Sequence, residues 1–171
     1  MQIRPASEND LPGLMALVQR VVPLMLASGN AQWDENYPNR PVFEHDIERS
    51  QLWVAQIGES IAGVAAITTD PEPEYAQAGL NTEEPAVIVH RLAVDPAHRG
   101  QGVAAALMQQ AEQVAVACGI TAVRVDTNTQ NPATKQLFPK LGYRLAGEIS
   151  LQLRPNLRFL CYEKRLMTAT G

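Results

Sequence analysis

The sequence predicts an α/β fold in which one mixed sheet carries helices on both faces, and three observations lead to this class. The predicted elements follow the order β-α-α-β-β-β-α-β-α-β-β, which mixes directly connected strands with strands separated by helices. A buried apolar strand over residues 86–94 is followed by a glycine-rich loop and a helix-compatible segment. The 171 residues show no repeat, low-complexity segment or linker, so we expect a single domain over residues 1–171.

The first part of the chain predicts a strand, two helices and a hairpin. Residues 2–5 form the strand, and a helix over residues 7–26 begins with a capping-box pattern. A short helix over residues 41–50 follows a loop. Runs rich in Val, Ile and Ala at residues 52–57 and 61–68 predict a hairpin across a glycine-containing turn.

Two loops hold aromatic and acidic residues. The loop over residues 28–40 contains Trp33 and Tyr37, which either line a binding site or form a hydrophobic lid over the core. We adopt the first alternative as the prediction, so Trp33 and Tyr37 are candidate substrate-binding residues. The carboxylates of the proline-containing loop over residues 70–85 are predicted to form a solvated surface.

The second part of the chain predicts two more helices and three strands. In order, they are a helix over residues 103–117, a strand over 121–127, a helix opened by Asn131-Pro132, and a hairpin of strands 143–153 and 157–166 joined at 154–156. Gly119 suits the left-handed position that closes the first of these helices. Pro139 should bend or end the second, because it lacks the N–H that a helix interior requires.

The stretch from Arg91 to Ala104 carries the clearest chemical signal. Asp95-Pro96 ends the strand, because proline cannot donate to the ladder. Gly100 and Gly102 allow the backbone to approach a ligand, because they have no Cβ. A helix that begins at Val103 directs unpaired N–H groups and the positive end of its dipole out of the loop. This arrangement predicts an anion site that suits a pyrophosphate.

The glycine-rich loop resembles the acyl-CoA pyrophosphate loop of the GNAT superfamily of N-acyltransferases, whose usual form is Q/R-x-x-G-x-G/A. In this chain the loop reads Arg99-Gly100-Gln101-Gly102-Val103-Ala104. The preceding Leu92-Ala93-Val94-Asp95-Pro96 resembles the central strand and turn of the family, and Asn131 with Leu141-Gly142-Tyr143 resembles its late helix and following strand. The resemblance implies a GNAT-like, mostly antiparallel sheet of six to seven strands with splayed central parallel strands.

The resemblance also assigns cofactor-binding residues. The backbone of the central strand would bond the pantetheine arm of acetyl-CoA, and the loop with the first helical turn would hold its pyrophosphate. Asn131 matches an asparagine that bonds the pantetheine arm. The implied cofactor residues are Leu92, Ala93, Val94, Arg99, Gly100, Gln101, Gly102, Val103, Ala104, Ala105, Asn131 and Phe138.

Phe138 departs from the family pattern. Many members have a tyrosine acid at this position, seven residues after the asparagine. A phenyl ring packs on a cofactor but donates no proton, so we expect Phe138 to pack against the cofactor. The acid is then absent, is water, or is another residue such as Tyr143 or Tyr162.

Two residues are candidate catalytic bases. Asp126 lies five residues before Asn131, where some family members place a glutamate, and His90 lies on the central strand, where others place an acid. Histidine has the better unperturbed pKa, whereas aspartate needs its pKa raised by burial or acts through water. For His90 the alternative is a hydrogen-bonded strand residue. For Asp126 the alternative is a pair with Arg124 or Arg91, or a loop cap.

Composition and charge limit the partners. A net charge of −4 and a pI near 5.4, with no basic run, argue against a nucleic-acid partner. Cys118 and Cys161 form neither a disulfide framework nor a zinc-spaced cluster, so we expect reduced thiols and no metal. No stretch reads as long and apolar enough to cross a bilayer, and no signal-peptide pattern is present, so we predict a cytoplasmic protein without a membrane partner. The oligomeric state is open, with a homodimer as one option.

The resemblance implies an acetyl-CoA-dependent N-acetyltransferase that moves the acetyl group directly to a primary amine of a small molecule or peptide. The alternative is a catalytically weak or inactive acyl-CoA-binding regulatory module, which Phe138 motivates. A phosphate site of the P-loop kind is a third option, but the chain lacks Gly-Lys-Ser/Thr after its glycines. The acceptor amine is not specified by any motif.

Overall fold

A computed structural model describes residues 1–167 of the chain. Its strands are β1 (Gln2–Pro5), β2 (Leu52–Ile57), β3 (Ser60–Thr68), β4 (Val87–Val94), β5 (Ala122–Asn128), β6 (Arg144–Leu151) and β7 (Arg154–Arg165). Its α-helices are α1 (Leu11–Ala27), α2 (Arg40–Glu48), α3 (Val103–Ala117) and α4 (Pro132–Lys140). The strand order across the sheet is β1-β2-β3-β4-β5-β7-β6.

The sheet is mixed, and the predicted fold class is confirmed. β4 and β5 run parallel, with Val87–Val89 paired to Val123–Val125. The pairs β1–β2, β2–β3, β5–β7 and β6–β7 are antiparallel. Seven strands in this order, with a parallel pair near the middle, match the mostly antiparallel six- to seven-stranded sheet that the family resemblance implies.

The chain divides into two compact units, which are described separately. The first contains Met1–Ile67 and His90–Gln110, and the second contains Thr68–Val89 and the chain from Ala111 onwards. The chain therefore passes through each unit twice. A single-domain organisation over residues 1–171 stays a prediction.

The core of the first unit is built on one face of α1. The helix begins at Leu11, one short 3-10 turn later than predicted, and continues past Pro23 to Ala27. Its buried residues recur at helical spacing and pack with apolar residues of α2, β2 and β3. Those helix residues are Leu11, Leu14, Leu17, Val18, Val21 and Val22. Burial of each such side chain stabilises the fold by about 1.5–3 kcal/mol.

The segment Glu8–Ala27 is a helical stretch long and apolar enough, by length and composition, to cross a membrane. This finding corrects the expectation that no stretch of the chain reaches that length and apolarity. The core helix of a soluble protein meets the same criterion, and 33% of the segment's apolar window is buried inside the structure. The criterion alone is therefore weak evidence for a membrane span.

Gly63 marks a close approach in the first unit. It lies on β3 opposite Ala55 of β2. A Cβ at this position would stand 2.6 Å from Cγ1 of Val103 and 3.1 Å from the carbonyl oxygen of Ala93. Because Leu107 Cδ1 would also lie 3.2 Å away, only glycine lets the first turns of α3 and the end of β4 reach β3.

The second unit has its own apolar cluster, with members on β4, β5, β6 and β7. The cluster is formed by Tyr75, Ala86, Ile88, Ala122, Ile149, Phe159 and Cys161. The β6–β7 hairpin turns at residues 152–153, because Leu151 pairs with Arg154. The predicted turn at residues 154–156 is therefore wrong. Pro155 lies near the start of β7, a position in a strand where the missing N–H is tolerated.

The prediction that the carboxylates of residues 70–85 form a solvated surface holds for the exposed Asp70 and Glu83, but not for the half-buried Glu74 and Glu84. The segment contains a 3-10 helix, Pro73–Ala78, whose Tyr75 is fully buried. Glu74 accepts a hydrogen bond of 3.0 Å from the backbone N–H of Gln152. Glu84 forms ion pairs with Arg124 and Arg165. Tertiary contacts thus order a segment whose composition alone is that of a surface loop.

Candidate functional site

Asp95 fixes the turn that follows β4 in the first unit. Its carboxylate accepts a 2.9 Å hydrogen bond from the Ala97 N–H, and bonds of 2.9 and 2.6 Å from the Arg20 guanidinium. Its own N–H donates to the Ala62 carbonyl over 2.8 Å. Burial alone would raise the pKa of Asp95, but the Ala97 N–H and Arg20 outweigh it and lower that pKa. The turn is therefore held by an ionised carboxylate.

The glycine-rich loop exposes its backbone at the start of α3. Gly100 and Gly102 have φ angles of 76° and 78°, in the left-handed region that favours glycine. No atom lies within 4 Å of a Cβ built on either residue, so the loop faces open space. Arg99 is exposed beside them, and α3 continues for 15 residues from Val103. An exposed backbone, a helix N-terminus and a cationic side chain suit a pyrophosphate.

β4 carries an unusual backbone conformation directly before the predicted pantetheine-binding residues. Arg91 has a φ of 52°, which is costly for a residue with a Cβ. Its guanidinium forms two 2.7 Å bonds to the Asp46 carboxylate of α2 and donates to the Tyr37 hydroxyl over 3.2 Å. Burial opposes the charge of Arg91, but Tyr37 and Asp46 raise its pKa. These bonds to Asp46 and Tyr37 hold the half-buried Arg91 in its strained conformation.

The other predicted residues of the first unit occupy different environments. Leu92 and Val94 are half-buried on β4, whereas Ala93 is buried. His90 is partly exposed on the same strand. Trp33 is only 2% exposed and packs in the core of the unit, which favours the packing alternative for this residue. A substrate contact of Trp33 or Tyr37 stays a prediction.

In the second unit, Asp126 interacts with two other acidic residues, Glu72 and Glu74. Its Oδ2 accepts a 2.5 Å hydrogen bond from the hydroxyl of Tyr75. Burial is the main cause that raises the pKa of Asp126 to about 6; the Tyr75 hydrogen bond lowers it and the charge of Glu74 raises it. A carboxylate with this pKa is ionised at neutral pH and still able to accept a proton, as a general base requires.

Neither arginine considered as a partner for Asp126 pairs with it. Arg124 is buried and donates to Glu163 over 2.8 Å and to the Asn81 carbonyl over 3.0 Å. Arg91 belongs to Asp46. Those two alternatives are therefore wrong, and a tyrosine that is 51 residues away in sequence takes the place of an arginine.

Other titratable groups around Asp126 also have shifted pKa values. Burial raises the pKa of Glu72 to about 7, and the charges of Glu74 and Asp126 add to the shift. Burial and then the charge of Asp126 raise the pKa of Tyr75 well above its usual value, and the same causes raise that of the Cys161 thiol. Cys161 lies opposite Asp126 in the β5–β7 register. Tyr75 and Cys161 are therefore neutral, and the carboxyls of Asp126 and Glu72 titrate near neutrality.

Asn131 and Phe138 both have structural roles in α4. The Asn131 side-chain oxygen accepts a hydrogen bond of 3.3 Å from the Thr134 N–H and caps the helix, as predicted. Phe138 is 1% exposed, with ring centroids 6.1 Å from Tyr143 and 5.3 Å from Tyr162. The phenyl ring is thus enclosed by protein rings. Cofactor contacts of Asn131 and Phe138 stay predictions.

The two tyrosines named as replacement acids are both buried. Tyr143 donates to Glu112 over 3.1 Å, and burial with the charge of Glu112 raises its pKa. Tyr162 is 3% exposed, and burial raises its pKa as well. High pKa values disfavour proton donation, so neither hydroxyl is well suited to act as an acid. Among residues 1–167, no three His, Cys, Asp or Glu side chains are grouped to hold a metal ion.

Sequence reasoning missed Tyr75 and the Arg91–Asp46 pair, and it assigned Glu72 to a solvated surface. Tyr75 stands in a segment of proline and acidic residues that has no apolar periodicity, so nothing marked it as buried. Asp46 is one of several acidic residues on a short helix. The available signal was Arg91 itself, a charged residue in a mostly apolar strand, because a charge that is withdrawn from solvent needs a partner.

A model of the acetyltransferase (GNAT) family matches residues 19–143. The uncharacterised N-acetyltransferase YesJ of Bacillus subtilis is 26% identical over 148 residues, which cover 84% of this chain and 81% of YesJ. N-acetyltransferase 8F1 of Rattus norvegicus is 30% identical over 109 residues, which cover 60% of this chain and 46% of the rat protein. The matched region is thus less than half of that mammalian relative.

Solved structures give the same picture. A GNAT-family acetyltransferase from Streptococcus agalactiae has a TM-score of 0.82 and 27% identity, over 98% of this chain and 96% of its own. The yncA protein of Salmonella typhimurium, whose structure contains its cofactor acetyl-CoA, has a TM-score of 0.70 and 17% identity. Its alignment covers 100% of this chain and 96% of yncA, and shows a shared fold.

Proposed function

The chain belongs to the GNAT acetyltransferase family, and from this premise we propose that it moves an acetyl group from acetyl-CoA directly to a primary amine of a small molecule or peptide. One observation carries the proposal. The loop after β4 presents two exposed glycines with positive φ at the N-terminus of a 15-residue helix, with Arg99 beside them. This arrangement supports the proposal, because a pyrophosphate binds to exposed backbone N–H groups at a helix N-terminus and to a nearby cation.

The residues of the first unit fit the diphosphate of a coenzyme A molecule. The amides of Gly102 to Ala105 lie at the end of the loop and the first turn of α3, where backbone N–H groups lack partners within the helix. Arg99 supplies a cation for the same charge. Leu92 to Val94 are proposed to bond the pantetheine arm. When bound, acetyl-CoA supplies an electrophilic thioester carbon.

Asp126 is the proposed base. An amine attacks only as the free base, and most amines are protonated at neutral pH, so a group must accept the proton. The pKa of Asp126, about 6, leaves it ionised and ready to take that proton directly or through water. His90 is the second candidate, because an imidazole titrates in the same range. The spacing from Asp126 to Asn131 favours the aspartate.

The alternative is a catalytically weak or inactive module that binds acyl-CoA for regulation. The specific observation behind it is Phe138, which replaces a proton-donating tyrosine and is enclosed by other rings. Transfer to an amine does not require a strong acid when the leaving thiolate is protonated by water, so we rank the enzyme first.

The test is thiol release from acetyl-CoA with a panel of small amines and peptides, for the parent, Asp126→Asn and His90→Gln. We expect Asp126→Asn to lower kcat by about 100- to 10,000-fold, since that is the range for removal of a general base. Coenzyme A affinity, measured by calorimetry, should not change. The Asp126→Asn variant should also lose the acidic limb of the kcat/KM profile, whereas His90→Gln should keep it.

Three results would contradict these assignments. Tight coenzyme A binding without turnover on any amine would favour the regulatory module. Parental rates and profiles in both variants would show that neither residue is the base, and that water or a substrate supplied as the free amine does the work. A finding that only His90→Gln is slow would move the base to β4.

Localisation and assembly are separate proposals. We propose a cytoplasmic protein, which the two free cysteines support, since Cys118 is exposed and Cys161 is buried without a partner thiol. A homodimer stays one option, to be decided by light scattering of the purified protein.

A further inference from the structure

We propose that Tyr75 is a positioning residue for the transfer reaction, in which its hydroxyl holds Oδ2 of Asp126 and leaves Oδ1 as the oxygen that accepts the amine proton. The inference rests on the proposed function, in which Asp126 is the base. It adds a residue from the 3-10 helix Pro73–Ala78, a segment that neither the family loop nor the late helix includes.

The geometry of the pair is that of a charge-assisted hydrogen bond. The Tyr75 hydroxyl donates to Oδ2 of Asp126 over 2.5 Å, which is the length expected between a hydroxyl and an ionised carboxylate. Tyr75 is fully buried, whereas Asp126 is partly exposed. Oδ2 of Asp126 is therefore fixed by a buried hydroxyl, while the Asp126 side chain stays accessible to solvent.

The position of Tyr75 is fixed by the contacts of its helix with strand β6. The Gln77 side chain accepts from the Ser150 N–H over 3.0 Å and donates to the Ser150 carbonyl over 3.1 Å. Glu74 accepts from the Gln152 N–H over 3.0 Å. A Cβ on Gly147 would meet Ala78 Cα at 3.1 Å, so a small residue on β6 allows this close packing. These contacts hold the phenol at one place.

Tyr75 acts as a donor that keeps its proton. Burial is the first cause of its raised pKa, and the charge of Asp126 is the second. A phenol with so high a pKa is protonated throughout the working range, so it can orient a carboxylate but cannot act as the acid of the reaction. For this reason we call it a positioning residue.

The hydroxyl also offsets the groups that raise the pKa of Asp126. Burial and the charge of Glu74 favour the protonated form, and Glu72 and Cys161 lie close enough to be coupled to Asp126. Arg124, on the same strand, is engaged by Glu163 and Glu84. The hydrogen bond from Tyr75 lowers the pKa of Asp126 and thus favours its ionised form. Its removal should leave a carboxyl that binds its proton at neutral pH.

The test is Tyr75→Phe, which removes one hydroxyl and keeps the buried ring. We expect the acidic limb of kcat/KM to move upward by about 1–2 pH units, because a hydrogen bond to a charged group is worth about 1.5–3 kcal/mol. At neutral pH the rate should fall about two- to tenfold and recover in alkaline buffer. The same amine is used throughout, so its own titration cancels in the comparison.

Two further measurements make the result specific. Tyr143→Phe removes a second tyrosine–carboxylate hydrogen bond, the one to Glu112, and should leave the position of the limb unchanged. Carbon-13 NMR of labelled aspartate carboxyls, without substrate or cofactor, should show one carboxyl that is missing in Asp126→Asn. Its titration midpoint should rise by a similar amount in Tyr75→Phe.

A folded Tyr75→Phe protein whose limb and NMR midpoint both stay at the parental pH would overturn the inference and leave Asp126 as the base. Parental rates in Asp126→Asn would instead overturn the proposed base, and the positioning role of Tyr75 with it. Thermal melting and coenzyme A calorimetry on each variant establish that it is folded. A shift shared by Tyr143→Phe would also count against the inference.

Discussion

Gly102 shows how much a single backbone angle contributes at the residue scale. Its φ of 78° is available to glycine at little cost, whereas a β-branched residue would be strained there by about 1–3 kcal/mol. No neighbouring atom restricts the space around it, so the restriction is the backbone angle and the room that a ligand needs.

We therefore predict that Gly102→Val weakens coenzyme A binding by at least about tenfold, because the amides at the start of α3 lose their orientation and the new side chain occupies the approach to them. Calorimetric titration with coenzyme A measures the effect. The matched control is Gly119→Val, which introduces the same strain at a φ of 69° beyond the C-terminal end of α3. Equal affinity losses in both variants would refute the loop assignment.

Asp126 shows which part of a site can be predicted from a sequence. Its place on a strand and the cap at Asn131 follow from local patterns, and the structure has Asp126 on β5 and Asn131 at the start of α4. Its partner does not follow, because Tyr75 reaches it through chain folding across 51 residues. A pair with Arg124 was one alternative, but that guanidinium forms its ion pairs with Glu163 and Glu84.

At the scale of elements, the segment formed by β4, the glycine-rich loop and α3 agrees closely with what local sequence patterns predict. The helix spans Val103–Ala117 as predicted, because glycines precede it and Gly119 closes it with a φ of 69°. The C-terminal hairpin does not, since Arg154-Pro155-Asn156 has the composition of a turn but continues strand β7. Pairing with β6 outweighs turn propensity there, which no local pattern reveals.

Helix α4 gives a prediction about packing. Phe138 lies within an aromatic cluster with Tyr143 and Tyr162, so Phe138→Ala should lower the free energy of unfolding by about 3–5 kcal/mol. Urea unfolding followed by circular dichroism measures it. Leu145→Ala, at a residue that is 56% exposed, is the control and should change stability by less than about 0.5 kcal/mol.

The same variant separates packing from cofactor contact. If Phe138→Ala kept the parental stability and lost coenzyme A affinity, the ring would belong to the cofactor site, as the family resemblance implies. Loss of stability with parental affinity, measured well below the melting temperature, supports the packing role instead.

For the whole molecule, carboxyls with shifted pKa values make stability depend on pH in two directions. Asp126 and Glu72 have folded-state pKa values of about 6 and about 7, above their ordinary values, so the folded protein holds more protons than the unfolded chain between about pH 4 and about pH 7. The stabilisation that these two carboxyls give to the folded state is present below that pH window and is lost as the pH rises through it. Asp10 and Asp95 have lowered pKa values, so their contribution is lost as the pH falls below about 4.

The free energy of unfolding should therefore be greatest near about pH 5 and fall by about 2 kcal/mol towards about pH 8, after allowance for solvent screening of these partly exposed groups. Urea titrations at fixed pH values measure this curve. Asp126→Asn should flatten its alkaline side, because the variant has no proton to lose at that position. A parent that becomes steadily more stable up to pH 8 would contradict the assignment.

The class of fold is predictable at this scale because it depends on element order, and element order depends on local periodicity. The acceptor amine is not, because specificity depends on side chains from segments without a motif, such as residues 28–40. Trp33 illustrates the difficulty, since an aromatic residue in a loop has the same signal whether it binds a substrate or, as here, packs in a core.

Gly63 has a consequence for how related chains vary. The missing Cβ makes room for Val103 and Leu107, so side-chain volume at position 63 is shared with α3 and is not a free choice. Alanine at 63 should be accompanied in a relative by a residue smaller than valine at 103, and the two positions should change together. A mutational scan that measured only cofactor affinity would assign Gly63 to the binding site, although a substitution there acts by displacing helix α3.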